Sequence, residues 1–123
     1  MAREGGIIIV GPCASGKTSL AEKLTEAGYP ARQVAQEHSY VPTLWQKMSQ
    51  PDVLIFLDSS FETSTRRKSL NWDREEYETQ QERLGHARKH CDIYINTDDL
   101  SEHEVLEKAL AVLQGGQSSS QSL

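Results

Sequence analysis

The stretch IIIVGPCASGKTSL, residues 7–20, contains the most informative pattern in the chain. Four β-branched residues lead into Gly11, and residues 11–18 fit the spacing G-x-x-x-x-G-K-[ST]. Gly11 and Gly16 can adopt backbone angles that turn successive N–H groups inward around an anion. The pattern therefore predicts a phosphate-binding loop, the Walker A motif.

The side chains at the end of this loop predict the rest of the phosphate chemistry. Lys17 would reach the β and γ phosphates of a nucleoside triphosphate, and the Thr18 hydroxyl would ligate Mg²⁺. The N-terminus of the following helix adds positive potential for an anion. The residues expected to contact the nucleotide are Gly11, Cys13, Ala14, Ser15, Gly16, Lys17, Thr18 and Ser19.

The flanking residues have the context that such a motif requires. Residues 7–10 form a short apolar run, which suits a buried strand of a parallel sheet. After the loop, apolar residues recur at helical spacing, and Gly28 is placed to end a helix at about residue 27. The alternative is an accidental Gly-rich turn, which a strand before it and a helix after it make less attractive.

Composition narrows the class of protein. The 123 residues predict one domain, and a net charge of −5 argues against a general nucleic-acid binder. No apolar run approaches the roughly 20 residues of a membrane span, and no signal-peptide pattern follows Met1. Cys13 and Cys91 are typical of reduced cytosolic thiols. We therefore expect a cytoplasmic protein with no membrane segment.

Strands and helices are expected to alternate along the chain. The predicted strands lie at about residues 7–10, 32–36, 53–57 and 92–96. Alternation predicts an α/β domain with βαβ crossovers, a minimal four-stranded parallel sheet and helices on both faces. Residues 115–123, GGQSSSQSL, predict a disordered tail after a domain over residues 1–114. Capping boxes predict helix starts at Ser59, Asp73 and Ser101, with one long helix from 73 to about 90.

The phosphate loop, the strand that ends at Asp58 and the Arg-rich segment after it resemble the P-loop nucleoside and nucleotide kinases. The resemblance covers about residues 6–113. It implies the P-loop NTPase fold, binding of Mg²⁺ and ATP (or GTP), and transfer of the γ-phosphate to a small-molecule acceptor. The acceptor itself cannot be named from the sequence.

Two carboxylates compete for the catalytic and metal roles. Glu37-His38-Ser39 is similar to the Glu-Arg-Ser turn of deoxynucleoside kinases, with His38 in place of Arg. The resemblance implies that Glu37 is the catalytic base or holds a Mg²⁺-bound water, whereas the alternative is a surface carboxylate at a strand end. Asp58 ends an apolar strand and fits a loose Walker B pattern, so it is a second candidate metal residue, although it could instead cap a helix.

Basic residues follow where the similar kinases carry an arginine-bearing lid. Phosphoryl transfer needs positive charge near the transferring group, and the resemblance implies this role for Arg66, Arg67 or both. The alternative is a solvated helix face on which the arginines pair with nearby glutamates.

The chain departs from the kinase pattern in the acceptor region. Only residues 28–31 separate the first helix from the second strand, and the lid is reduced to about residues 70–73. Two other functions therefore stay open: a nucleotide hydrolase or switch, and a non-catalytic nucleotide-binding regulatory module. Asn96-Thr97-Asp98-Asp99 is similar to the guanine motif N-K-x-D, but Thr97 stands in place of Lys, which argues against a signalling GTPase.

Overall fold

A four-stranded, all-parallel sheet forms the centre of the computed structural model, which describes residues 6–12, 14–39, 44, 53–68 and 73–122. The strands are β1 (Ile7–Val10), β2 (Ala31–Gln33), β3 (Val53–Asp58) and β4 (Ile93–Asn96). Their order in the sheet is β2-β1-β3-β4, so the strand of the predicted phosphate loop pairs with both β2 and β3. The predicted α/β class and the parallel four-stranded sheet are confirmed.

Helices cover both faces of the sheet. They are α1 (Lys17–Glu26), α2 (Phe61–Lys68), α3 (Arg74–Arg83), α4 (Gly85–His90) and α5 (Glu102–Ser122). Because side chains alternate along a strand, Ile7 and Ile9 pack into the core beneath α1 and α5, whereas Ile8 and Val10 pack against the α3–α4 junction. A continuous apolar run such as residues 7–10 is therefore buried on both sides.

The second strand is shorter than predicted. β2 ends at Gln33, and a 3₁₀ helix over Gln36–His38 replaces the predicted end of the strand. Val34 still donates its N–H to the Ile9 carbonyl, but its side chain enters the core beside Ile8 and Val10. β2 is an edge strand with one neighbour, so little holds the chain extended beyond this point.

The predicted helix starts have two different outcomes. The capping boxes at Asp73 and Ser101 are confirmed. Each cap side chain accepts a hydrogen bond from the backbone N–H of the Glu three residues later, and the carboxylate of that Glu accepts one from the backbone N–H of the cap residue. The start at Ser59 is wrong by one residue: the hydroxyl of Ser60 accepts from the Thr63 N–H, and the Ser59 hydroxyl bonds that of Ser64 instead.

The last two predicted helices also differ in extent. The long helix is divided at Leu84 into α3 and α4, where Gly85 contributes weak helix propensity and Leu84 is fully buried. The backbone of α5 continues to Ser122, through most of the segment predicted to be a disordered tail. Extending an existing helix costs less than nucleating one, which accounts for helical backbone in a Gly- and Ser-rich segment. The domain boundary at residue 114 stays a prediction.

Candidate functional site

The loop between β1 and α1 has the backbone that its two glycines predict. A Cβ at Gly11 would lie 2.0 Å from the Leu57 carbonyl oxygen, so only glycine fits against β3. Gly16 has a φ of 98°, and Ala14 also lies in the left-handed region with a φ of 67°. Cys13, the remaining predicted contact in the middle of the loop, lies outside the described residues.

Lys17 and Glu37 form a buried pair beside this loop. The Nζ of Lys17 lies 3.1 Å from Oε2 of Glu37, and only 7% and 5% of the two side chains are exposed. The same ammonium group donates to the carbonyl oxygens of Gly11 and Pro12, at 2.9 and 3.0 Å. The lysine therefore has three oxygen partners, one for each of its N–H donors.

The Glu37 carboxylate reaches this position because the chain turns after β2. Gln36, which is fully buried, donates to the Arg83 carbonyl at the end of α3, and the Arg83 guanidinium donates to the Glu37 carbonyl. These two bonds attach the 3₁₀ turn to α3. His38 is more exposed, and its Nε2 lies 3.7 Å from Oε2 of Glu37.

Two buried polar atoms at this site are unsatisfied. Among the residues that the structure describes, Oε1 of Glu37 and Oγ of Ser15 have no hydrogen-bond partner. Leaving a buried acceptor unpaired costs about 1–3 kcal/mol, and more when the group is charged. Both residues line the same cavity.

A cavity of about 800 Å³ lies beside these residues. Its walls include the loop and the start of α1, the Glu37 turn, Arg67 of α2, and the segment from the end of β4 into α5. The lining residues from the predicted site are Ala14, Ser15, Gly16, Lys17, Thr18, Ser19, Glu37 and Arg67. The loop from Asn96 to Leu100, expected at this end of the sheet, contributes Thr97 and Leu100 to the wall, whereas the sequence prediction missed Val105 of α5.

The two predicted arginines have different positions. Arg67 lines the cavity and donates to the Ala14 carbonyl at 3.1 Å and to Oγ1 of Thr97 at 2.9 Å. Its second Nη donates to the Thr97 carbonyl. Arg66 is exposed and does not belong to the cavity wall. Of the two, Arg67 is therefore the one that lies beside the loop.

Asp58 lies at the end of β3 but does not belong to the cavity wall. Its carboxylate accepts from the Ser59 N–H at 2.9 Å, from Gln81 Nε2 at 3.1 Å and from the Tyr94 hydroxyl at 2.5 Å. Partial burial and the hydrogen bond to Asp58 raise the pKa of Tyr94, which is 50% exposed, to about 12. Asp58 thus connects β3, α3 and β4, and these bonds account for its position without a metal ion.

The residues that could hold a metal ion are few. No group of three or more His, Cys, Asp or Glu side chains is close enough to do so within the part of the chain that the structure describes. The predicted metal residues that line the cavity are Thr18 and Glu37, and the carboxylate residue Glu102 lines it as well. No helix among the described residues has the length and apolar character needed to cross a membrane.

Comparison with known proteins adds no assignment. No model of a protein family matches this chain, and neither does any curated protein sequence.

Proposed function

We propose that the chain is a P-loop kinase of the nucleoside or nucleotide type, which binds ATP with Mg²⁺ and transfers the γ-phosphate to a small hydroxyl compound. The observation that carries this proposal is the buried Lys17–Glu37 pair beside a glycine-dependent loop, at the wall of an open cavity. Burying two opposite charges next to unsatisfied polar atoms is costly for folding alone, and such arrangements concentrate at functional sites.

The residues present fit a magnesium–triphosphate group. The loop backbone turns at Ala14 and Gly16, and α1 begins directly after it, so N–H groups and the helix dipole are available to phosphate oxygens. The Thr18 hydroxyl is an oxygen donor of the kind Mg²⁺ prefers, and Oε1 of Glu37 would hold a Mg²⁺-bound water if Glu37 is not the base. When bound, Mg²⁺ would neutralise the phosphate charge.

The chain's own groups have separate tasks in this proposal. Lys17 exchanges its two carbonyl partners for phosphate oxygens, which are stronger acceptors because they are charged. Arg67, which donates to the Ala14 carbonyl of the loop, supplies further positive charge. Glu37 accepts the proton of the acceptor hydroxyl while that oxygen bonds to the γ-phosphorus and the β–γ bridging bond breaks, leaving the nucleoside diphosphate.

A second candidate function is favoured by the short connection after α1. The helix ends at Glu26 and β2 begins at Ala31, which leaves four residues and no helical acceptor-binding insertion. The reduced lid, about residues 70–73, lies mostly outside the described residues. A nucleotide hydrolase or a non-catalytic nucleotide-binding module needs no separate acceptor pocket, so both remain alternatives to the kinase.

A phosphate-transfer screen distinguishes these functions. γ-Labelled ATP and GTP with Mg²⁺ are incubated with the protein and with nucleosides, nucleotides or sugars, and the labelled products are separated. Transfer to one acceptor class supports the kinase. Label released only as inorganic phosphate supports the hydrolase, and tight binding without turnover supports the module. Loss of all turnover in EDTA is the control for the metal.

A further inference from the structure

Arg67 is attached to Thr97 by two hydrogen bonds, although 30 positions of sequence separate them. One Nη donates to the Thr97 hydroxyl and the other Nη donates to the Thr97 carbonyl. The end of the guanidinium group is therefore held by one residue, in the two-pronged manner by which arginine binds two neighbouring oxygens. Such a grip fixes the plane of the guanidinium as well as its position.

Thr97 is itself rigidly placed. Its side chain and backbone are 1% exposed, and both its N–H and its hydroxyl donate to the Asp58 carbonyl, at 2.9 and 3.0 Å. A hydroxyl has one proton, and here it is directed at Asp58, so toward Arg67 the oxygen can only accept. The Thr97 hydroxyl therefore accepts from Arg67 and donates to the Asp58 carbonyl.

The donor count of Arg67 leaves one edge for a ligand. A guanidinium has five N–H donors. Two go to the Thr97 hydroxyl and carbonyl and one goes to the Ala14 carbonyl in the phosphate loop. The other two are the Nε–H and one Nη–H, for which the described residues provide no partner. These two N–H groups are parallel, and their spacing matches two oxygens of a phosphoryl group.

We propose that Thr97 is a positioning residue, which holds Arg67 by one edge so that the other edge can bind a phosphoryl group of the nucleotide. This inference rests on the proposed function, because it assumes that the ligand of the cavity contains phosphate. Thr97 lines the same cavity but is only 1% exposed, and its hydroxyl already bonds Asp58 and Arg67, so we expect it to act on a ligand through Arg67. Removing its hydroxyl should therefore weaken binding by the same route as removing the guanidinium.

A double-mutant cycle tests this coupling. The proteins are the wild type, Thr97→Val, Arg67→Gln and the double variant, and the measurement is affinity for a non-hydrolysable ATP or GTP analogue with Mg²⁺. Losing one hydrogen bond to a charged group should lower the affinity of Thr97→Val by about 10-fold. Because both changes disable the same contact, the double variant should bind no more weakly than Arg67→Gln. Thr97→Ser, which keeps the hydroxyl, should bind within a factor of about two of wild type.

The outcomes separate the inference from the proposed function. The positioning role is wrong if the wild type binds the analogue but the affinity losses of the two single variants multiply in the double variant. It is also wrong if Thr97→Val binds as tightly as wild type. Neither result affects the kinase proposal. If the wild type binds neither analogue, the proposed function is wrong, and the positioning role is wrong with it. Circular dichroism checks the fold of each variant. If Thr97→Val does not fold, Thr97→Cys replaces it in the cycle, because a cysteine sulfur is a poor hydrogen-bond acceptor.

Discussion

At the scale of single residues, Glu37 has the most unusual surroundings in the site. One carboxylate oxygen pairs with Lys17, and the other is buried without a partner among the described residues. A carboxylate with one committed oxygen and one available oxygen can accept a proton or hold a metal-bound water without losing its orientation. Both roles that the resemblance implies for Glu37 therefore remain compatible with its geometry.

Glu37→Gln separates these roles from a purely structural one. The amide keeps the size and can still accept from Lys17, but it has no negative charge. Turnover with the acceptor found in the screen should fall about 10²–10⁴-fold, the usual loss for a general base, while affinity for ATP changes little. Glu78→Gln, on the exposed surface of α3, is the matched control. Equal turnover in the two variants would rule out a catalytic Glu37.

Tyr94 gives a residue-scale prediction that depends on pH. Its pKa of about 12 lies above the ordinary value of 10.0, because the half-exposed ring is partly desolvated and because its hydroxyl donates to Asp58. The neutral phenol is favoured in the folded state, so this stabilisation is complete below pH 10.0 and is lost as the pH rises toward 12. The difference in melting temperature between wild type and Tyr94→Phe should shrink over that interval. A difference that is constant with pH would contradict the assignment.

At the scale of elements, the carboxyl end of β3 connects several parts of the fold through Asp58. Asp58 accepts bonds from the chain entering α2, from α3 and from β4. Near it, the Tyr77 hydroxyl of α3 donates to the Ser59 carbonyl. These contacts fix the start of α2, the helix that carries Arg67. Asp58 thus acts on the site through the placement of an element.

Asp58→Asn tests this structural role. An amide nitrogen in place of one carboxylate oxygen cannot accept from Gln81 and Tyr94 together, so the free energy of unfolding should fall by about 1–3 kcal/mol. Affinity for Mg²⁺ and triphosphate should change little. Chemical denaturation and calorimetry measure the two quantities, with the exposed Asp99→Asn as control. Loss of Mg²⁺-dependent turnover in a fully folded Asp58→Asn would instead assign the metal to Asp58 and leave Glu37 without that role.

The sequence predicts those elements whose signals are local. The strand at residues 7–10 and the caps at Asp73 and Ser101 each depend on side chains within a few positions, and all three are confirmed. The cap of α2 was misplaced because Ser59 and Ser60 are equally good caps, and the choice between them depends on the bond from Ser59 to Ser64. The early end of β2 depends on a partner, Arg83, that is distant in sequence.

The candidate site also combines residues that local sequence patterns predict with residues whose positions depend on distant contacts. The loop glycines, Lys17 and Thr18 follow from spacing, because a phosphate loop requires them at fixed positions. The choice of Arg67 over Arg66, and its attachment to Thr97, depend on how α2 approaches β4 across the sheet. No local pattern encodes that approach: the position of Thr97 after β4 predicts that it lies near the ligand, but not that it bonds Arg67.

At the scale of the whole molecule, we expect the core to be complete before the Gly- and Ser-rich end of the chain. Among the α5 side chains that the structure describes, Leu113 is the last that packs against the core. Deleting residues 115–123 should therefore leave the melting temperature and the triphosphate affinity unchanged within error. Val105→Ala, which opens a cavity beneath α5, is the destabilising comparison. A lower melting temperature for the truncated protein would show that this end of α5 contributes to the fold.

The proposed function requires that this chain bind a magnesium triphosphate through Lys17 and its loop. Titration calorimetry with ATP and GTP in Mg²⁺ tests it on three proteins: wild type, Lys17→Ala and the exposed Lys89→Ala, which removes the same charge away from the cavity. Wild type and Lys89→Ala should bind one triphosphate each with equal affinity. Lys17→Ala should bind about 10–100-fold more weakly, because the phosphates lose a charged donor. Equal affinity in all three proteins, or no binding by the wild type, would contradict the account.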